Sequence, residues 1–161
     1  MRRRDKQITD RALIDTIIYK ATVCRLALAS EKRPYLIPVA FGYDGNSLFF
    51  HTAMSGKKID YFFDNNLVCF EFENNVRLHK DENIACNWTF EYESVIGYGE
   101  IQELLTENDK IVALNQIMRQ YSGQTWPINA QDLASTRLWQ IKINSISAKK
   151  SVIKPDQDLP D

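Results

Sequence analysis

No apolar run in this sequence approaches the roughly 20 residues that a membrane-spanning helix needs, so no membrane partner is expected. The N-terminal stretch carries charges but no apolar segment before Asp15, which argues against a secretory signal. An excess of one charge is also missing: 20 Lys and Arg stand against 21 Asp and Glu, a formal net charge of -1. That balance gives no reason to expect nucleic acid as a partner. The one basic cluster, Met1-Arg2-Arg3-Arg4, is followed at once by Asp5 and reads as a terminal arm or a local salt bridge. Cysteine is scarce. Cys24, Cys69 and Cys86 are odd in number, lack CxxC spacing and sit among apolar or strand-like neighbours. Reduced, buried thiols in a cytoplasmic protein are the expectation. A metal site from Cys86, His79 and His51 has no support in the spacing. Ser-His-Asp, HExxH, Walker and GxGxxG patterns are absent, which removes the usual nucleophile, metal and dinucleotide signatures.

What is present fits a single domain, 161 residues long and 44% hydrophobic, placed at residues 1–150. The tail, 151–161, turns acidic and Pro-containing from Pro155 and reads as disordered. Thr9-Asp10 can cap a first helix with Leu13, Ile14, Ile17 and Ile18 on one face. Val23 to Ala29 and Tyr35 to Tyr43 read as strands, and Asp44-Gly45-Asn46 turns the chain into a strand from Ser47 to His51. A helix from Lys57 is expected to bury Ile59, Phe62 and Phe63. Val68 to Glu73 alternates as a half-buried strand, and Asn74 to Asn83 is polar and reads as a loop. Ala85 to Leu105 is strand-like, with Gly97 and Gly99 marking a bulge or a close backbone approach. Thr106 to Asp109 caps a second amphipathic helix carrying Ile111, Val112, Leu114, Ile117 and Met118. Arg137 to Ile146 forms the last strand. This order predicts a mainly β protein, a small antiparallel barrel of about six strands with helices packed outside. Pro38 within a strand marks an edge, a bulge or a place where a ligand replaces the partner strand.

The chemistry concentrates in Leu48-Phe49-Phe50-His51-Thr52-Ala53-Met54-Ser55-Gly56-Lys57-Lys58. A strand here runs into a short loop that opens a helix with two lysines in its first turn. Lysines at that end oppose the helix dipole, and an anion on the exposed N–H groups would reverse the penalty. His51, Thr52 and Ser55 are placed to complete such a cradle; a solvated lysine pair is the plain alternative. A planar, mostly apolar cofactor with a phosphate tail suits the cradle and the surrounding aromatics. Flavin mononucleotide and pyridoxal phosphate both meet that description.

Pro34 to Tyr43, Leu48 to Ala53 with Gly56-Lys57-Lys58, Asn65 to Phe70, Tyr92 to Gly99 and Leu138-Trp139-Gln140-Ile141 together resemble the flavin-binding split-barrel superfamily. The resemblance spans roughly Arg2 to Lys150 and is greatest to the nitroimidazole-resistance proteins among the pyridoxamine 5′-phosphate oxidase-like proteins. It implies a six-stranded antiparallel split β-barrel that forms a homodimer with FMN at the subunit interface. It further implies that Pro38, Val39 and Ala40 lie against the flavin ring. His51, Thr52 and Ala53 would hold ribityl and phosphate, and Ser55, Gly56, Lys57 and Lys58 the phosphate. Glu93, Ser94, Val95 and Trp139 would reach the flavin from the partner subunit, with plain interface packing the alternative for Trp139. His51 becomes a candidate catalytic residue; a neutral ring bonded to cofactor or backbone is the alternative.

Two departures bear on activity. Pyridoxamine phosphate oxidases carry an arginine in an R-x-V-L-L-K strand, where this chain has Tyr35 to Phe41. They also carry a late R-x-H element, where this chain reads Arg137-Leu138-Trp139. The expectation is therefore an FMN-dependent oxidoreductase acting on a small electron-poor substrate with an external electron donor, and not a pyridoxine phosphate oxidase. A non-catalytic flavin or haem module, with His51 as haem ligand, is the alternative.

Overall fold

The structure is a computed structural model that describes residues 4–30 and 33–151. The tail beyond Ser151 and Met1 to Arg3 lie outside the described residues. In chain order the elements are β1 (Gln7–Ile8), α1 (Arg11–Lys20), β2 (Cys24–Leu28), β3 (Tyr35–Val39), β4 (Gly42–Tyr43), β5 (Ser47–Thr52) and α2 (Lys57–Asp64). They continue with β6 (Leu67–His79), β7 (Thr89–Leu104), α3 (Glu107–Ser122), α4 (Ala130–Ala134) and β8 (Arg137–Ser151). All strand pairings are antiparallel, in the order β3-β2-β6-β7-β8-β5-β4, with β1 on β8.

β3 and β4 end this path at opposite edges, yet only Ala40 and Phe41 separate them in sequence. In a flat sheet those edges would lie about 29 Å apart, six spacings of about 4.8 Å. The three Cα steps from Val39 to Gly42 reach about 11 Å at most. The sheet therefore has to curl until its edges meet, which makes a split barrel. Leu26, Phe41, Phe50, Phe70, Phe72, Val95, Trp139 and Ile141 fill it and are almost completely buried. α1 adds Ile14, Ile17 and Ile18 to the same core. On the opposite face of β5 and β8, α3 covers Phe49, Leu104 and Leu138 with Ala113 and Ile117.

Local chemistry explains the element ends. Asp10 caps α1 by accepting from the Ala12 N–H, and Thr106 caps α3 by accepting from the Asp109 N–H. Asp44 accepts from Asn46 and Ser47 N–H, which closes the β4–β5 turn. Tyr43 donates to Asp15 at 2.6 Å and accepts from Arg11, tying that turn to α1.

Several expectations need correction. The strand expected over Tyr35 to Tyr43 breaks at Ala40–Phe41, and β1 is added, so six expected strands become eight. β6 runs on through Asn74 to His79, the stretch expected as a loop, because its backbone pairs with β7 from Glu93 back to Thr89. A bulge between Asn74 and Arg77 interrupts the pairing. β8 extends to Ser151, and α4 lies in the stretch read as irregular. α2 buries Tyr61 rather than Phe63, while Leu13, Val112 and Cys86 are exposed. The register shift at Tyr98/Gly99 agrees with the reading of Gly97 and Gly99.

Gly42 is where α3 meets the crossover. A Cβ on Gly42 would lie 2.3 Å from the Gln116 carbonyl carbon and 2.5 Å from the Ile117 nitrogen. Both neighbours are helix backbone and cannot step aside. Gly42→Ala is expected to cost about 3 kcal/mol in urea unfolding; wild-type stability in that variant would show that α3 does not pack this closely.

Candidate functional site

The segment that ends β5 and opens α2 lies at the surface, with a buried anchor beneath it. Along β5 the side chains alternate, which leaves His51 exposed and Thr52 3% exposed. Ala53, Met54, Ser55 and Gly56 follow as an exposed loop. Gly56 is the N-cap of α2 at φ 141°, a backbone setting that favours glycine. It has no side chain to cap the helix, and its own carbonyl accepts from the Ile59 N–H at 2.9 Å. The first-turn N–H groups of Lys57 and Lys58 therefore lack a capping side chain and suit an anion.

The two lysines differ. Lys58 is half-buried. The Lys57 ammonium sits 4.5 Å from the centroid of the Tyr35 ring and 5.8 Å from that of Tyr61. Attraction to those ring faces offsets the unfavourable dipole position. It also joins the start of α2 to the start of β3.

Trp139 is 2% exposed and lies inside its own protomer. Its Nε1 donates to Thr52 Oγ1 at 3.0 Å, and its ring meets Phe62 at 4.8 Å. Trp139 was expected to reach a flavin across a subunit interface; within the protomer its side chain is enclosed in the core. The Thr52 hydroxyl in turn donates to the Ala53 carbonyl at 2.9 Å. Its proton and one lone pair serve these internal bonds, through which Thr52 holds the loop.

Pro38, Val39 and Ala40 lie at the outer end of edge strand β3, whose only strand partner among the described residues is β2. Pro38 and Ala40 are exposed, and Val39 packs against the core. The edge accounts for a proline, which has no N–H to give to a second neighbour. The backbone here is open to a flat ligand.

Glu93, Ser94 and Val95 lie elsewhere. They pair with Lys150, Lys149 and Ala148, whereas Trp139 pairs with Glu103, ten residues beyond Glu93 along β7. That is about 33 Å along the strand, so one protomer does not bring them to the His51–Lys58 loop. Glu93 binds Lys150 at 2.6 Å and Asn75 at 2.8 Å, and the Lys150 hydrogen bond holds its carboxyl below the usual range. Val95 is fully buried, which leaves only backbone for a ligand.

Arg137, which the sequence offers only as a departure from the oxidase pattern, stands beside the loop. It pairs across from Thr52, its Nη1 lies 3.5 Å from the Met54 carbonyl, and its guanidinium sits 5.2 Å from the Phe63 ring. Glu103 receives two of its hydrogen bonds, at 2.7 and 2.6 Å. The signal that would have found it is the β5–β8 register, which no local pattern reveals.

Thr52→Val and Trp139→Phe are each expected to destabilise the fold, Thr52→Val by about 1–3 kcal/mol because it leaves a buried indole N–H unpaired. A double-mutant cycle in urea should return a coupling of about 1 kcal/mol; additive effects would deny the bond. The Arg137 hydrogen bonds also hold the Glu103 carboxyl below its usual range. A depressed carboxyl contributes stability that is full above about 4.3 and lost as pH falls through the lower folded value. Arg137→Ala is expected to flatten that acid-side loss in a pH series of unfolding; an unchanged slope would show the pair contributes nothing.

Comparison with known proteins gives this geometry its family. The chain matches the sequence profile described as pyridoxamine 5′-phosphate oxidase over residues 10–150. No curated protein matches it by sequence. Among solved structures it is similar to a candidate 5-nitroimidazole antibiotic resistance protein from Bacteroides thetaiotaomicron. The two share 26% identity over 89% of this chain and 85% of that one, with a TM-score of 0.79. It shares its fold with the flavocytochrome Anf3 from Azotobacter vinelandii, at 17% identity over 98% and 75% of the chains and a TM-score of 0.81. The same holds for an FAD and haem binding protein from Mycobacterium smegmatis, at 18% identity over 95% and 77% and a TM-score of 0.78. The fold is thus one that a flavin-binding protein also adopts, and the chain belongs to the pyridoxamine 5′-phosphate oxidase family.

Proposed function

We propose that the protein is an FMN-dependent oxidoreductase that reduces a small, flat, electron-poor substrate. The observation that carries this reading is the loop from His51 to Lys58, whose helix start has a glycine cap, free first-turn N–H groups and two lysines. The donor set fits the phosphate of a mononucleotide: backbone N–H groups, Ser55 and Lys58 as hydrogen-bond donors, with Lys57 close by. The exposed backbone of Pro38 to Ala40 suits one face of the isoalloxazine ring. A bound flavin supplies the electron transfer, and the protein contributes position and hydrogen bonds. His51, exposed at the mouth of the loop, is placed to hydrogen-bond the ribityl chain or the substrate. On this reading the electrons come from an external donor, which the sequence does not identify.

On this reading the site is completed in a homodimer, where Glu93, Ser94 and Val95 of one protomer approach the flavin of the other. An apolar row across the outer face of the sheet supports it. Leu36, Ala27, Cys69 and Tyr98 lie side by side in register on β3, β2, β6 and β7. Leu36, Leu67 and Tyr98 stand more than half exposed at 62%, 57% and 58%. Three free thiols among the described residues agree with a cytoplasmic setting, and none of the described helices is long and apolar enough to cross a membrane. The loss of the oxidase arginine strand and of R-x-H argues against a pyridoxine phosphate substrate.

Purified protein titrated with FMN is expected to bind it in the visible spectrum, and a colourless protein that takes up none would overturn the assignment. Lys57→Ala with Lys58→Ala should weaken FMN by about tenfold or more, since hydrogen bonds to a charged group are at stake. Unchanged affinity would remove the phosphate from this helix start. The haem reading draws on the two haem-containing proteins of the same fold. It predicts a Soret shift on haem titration that is lost in His51→Ala.

A further inference from the structure

The last turn of α3 places a tyrosine hydroxyl on the crossover that carries the open edge of the barrel. Phe41 is completely buried, with its ring 4.8 Å from Phe72 and 6.3 Å from Tyr121. Lying between β3 and β4, its N–H has no strand to pair with, and a buried backbone donor needs an acceptor. Tyr121 Oη accepts from it at 3.0 Å and donates to the Thr22 carbonyl at 3.0 Å. Thr22 stands two residues before β2, whose Cys24 pairs with Val39 at the end of β3. One hydroxyl therefore bridges the two chain segments that leave the end of the β2–β3 ladder. Its neighbour Gln120 donates to the Ile18, Tyr19 and Ala21 carbonyls, which docks the end of α3 on the end of α1 without touching the crossover.

We infer that Tyr121 is a positioning residue for the flavin, acting through the Phe41 N–H to hold Pro38, Val39 and Ala40 at the height the isoalloxazine ring requires. The inference rests on the flavin reading of the site. Ala40 is bonded directly to Phe41, so any shift of that peptide moves the backbone offered to the ring. α3 sets the height from its own backbone, because Gly42 is pressed against Gln116 and Ile117 on the next residue. Without the hydroxyl, Phe41 N–H loses the partner that ties it to α3 and Thr22, and a water that takes the vacated position of the half-exposed Tyr121 hydroxyl does not anchor the crossover to the helix.

The test compares Tyr121→Phe, which keeps the ring and removes both hydrogen bonds, with Gln120→Ala, which frees α1 and leaves Phe41 alone. FMN affinity in Tyr121→Phe is expected to fall about fivefold to tenfold, the worth of one or two hydrogen bonds. The visible bands and midpoint potential of the bound flavin should shift with it. Gln120→Ala is expected to lower the melting temperature and leave the spectrum and potential of bound flavin as in wild type. Unchanged affinity and spectrum in Tyr121→Phe would overturn the positioning role while leaving the flavin assignment standing. Equal spectral shifts in both variants would also overturn it, by assigning the effect to general loosening of α3. A wild-type protein that binds no FMN would overturn the flavin assignment and this role together. If Tyr121→Phe does not fold, amide exchange of wild-type protein decides: a Phe41 amide protected in both free and FMN-loaded protein supports the latch, and a rapidly exchanging one overturns it.

Discussion

The two-residue link between β3 and β4 is the constraint on which the rest of the molecule depends. It joins opposite edges of the sheet, so it forces the curl that makes an interior for Phe50, Phe70, Phe72 and Trp139. It also leaves the two edges unjoined by strand pairing among the described residues, where β3 pairs only with β2 and β4 only with β5. The split is thus a product of connectivity rather than of any special sequence at the edge. What holds the link is packing from outside: α3 backbone against Gly42, and Tyr121 on the Phe41 N–H.

From that split the site follows in two halves. The first is the open backbone of Pro38 to Ala40. The second is the loop after β5, which would be a mobile surface connection without its buried support. Trp139 reaches up from β8 to Thr52, Thr52 closes on Ala53, and Arg137 stacks on Phe63 beside Met54. These bonds lie inside the protomer and leave the helix N–H groups outside it. Lys57 on the Tyr35 and Tyr61 rings links the two halves, since Tyr35 begins β3 and Lys57 begins α2. A positive, donor-rich corner next to an open strand edge is the arrangement that the flavin reading uses.

Much of this was legible in the sequence where the cause is local. The Asp44 turn, the Asp10 and Thr106 caps and the glycine before Lys57 each depend on residues within a few positions, and each stands where expected. What was not legible depends on distant pairing. The polar extension of β6 is a strand because β7 lies alongside it, not because its side chains alternate. β1 exists only through Ala148 and Lys149. In α2, helical spacing permits either Tyr61 or Phe63 to face inward, and the position of Trp139 and Phe50 behind Phe62 decides it. In the site, the same kind of information was missing. The His51 to Lys58 loop could be read directly, while the inward face of Trp139 and the closeness of Arg137 follow from the β5–β8 register. Glu93 to Val95 were expected at the site from resemblance alone, and their distance from the loop within one protomer is a property of long strands in three dimensions.

A crystal structure of the protein with FMN would test the site most directly. The flavin assignment requires the phosphate on the first turn of α2, within hydrogen-bond reach of the Lys57 and Lys58 N–H groups, and the ring against the backbone of Pro38 to Ala40. A flavin found instead in the apolar groove over Ala27, Cys69 and Tyr98, or no flavin in a fully folded protein, would contradict it.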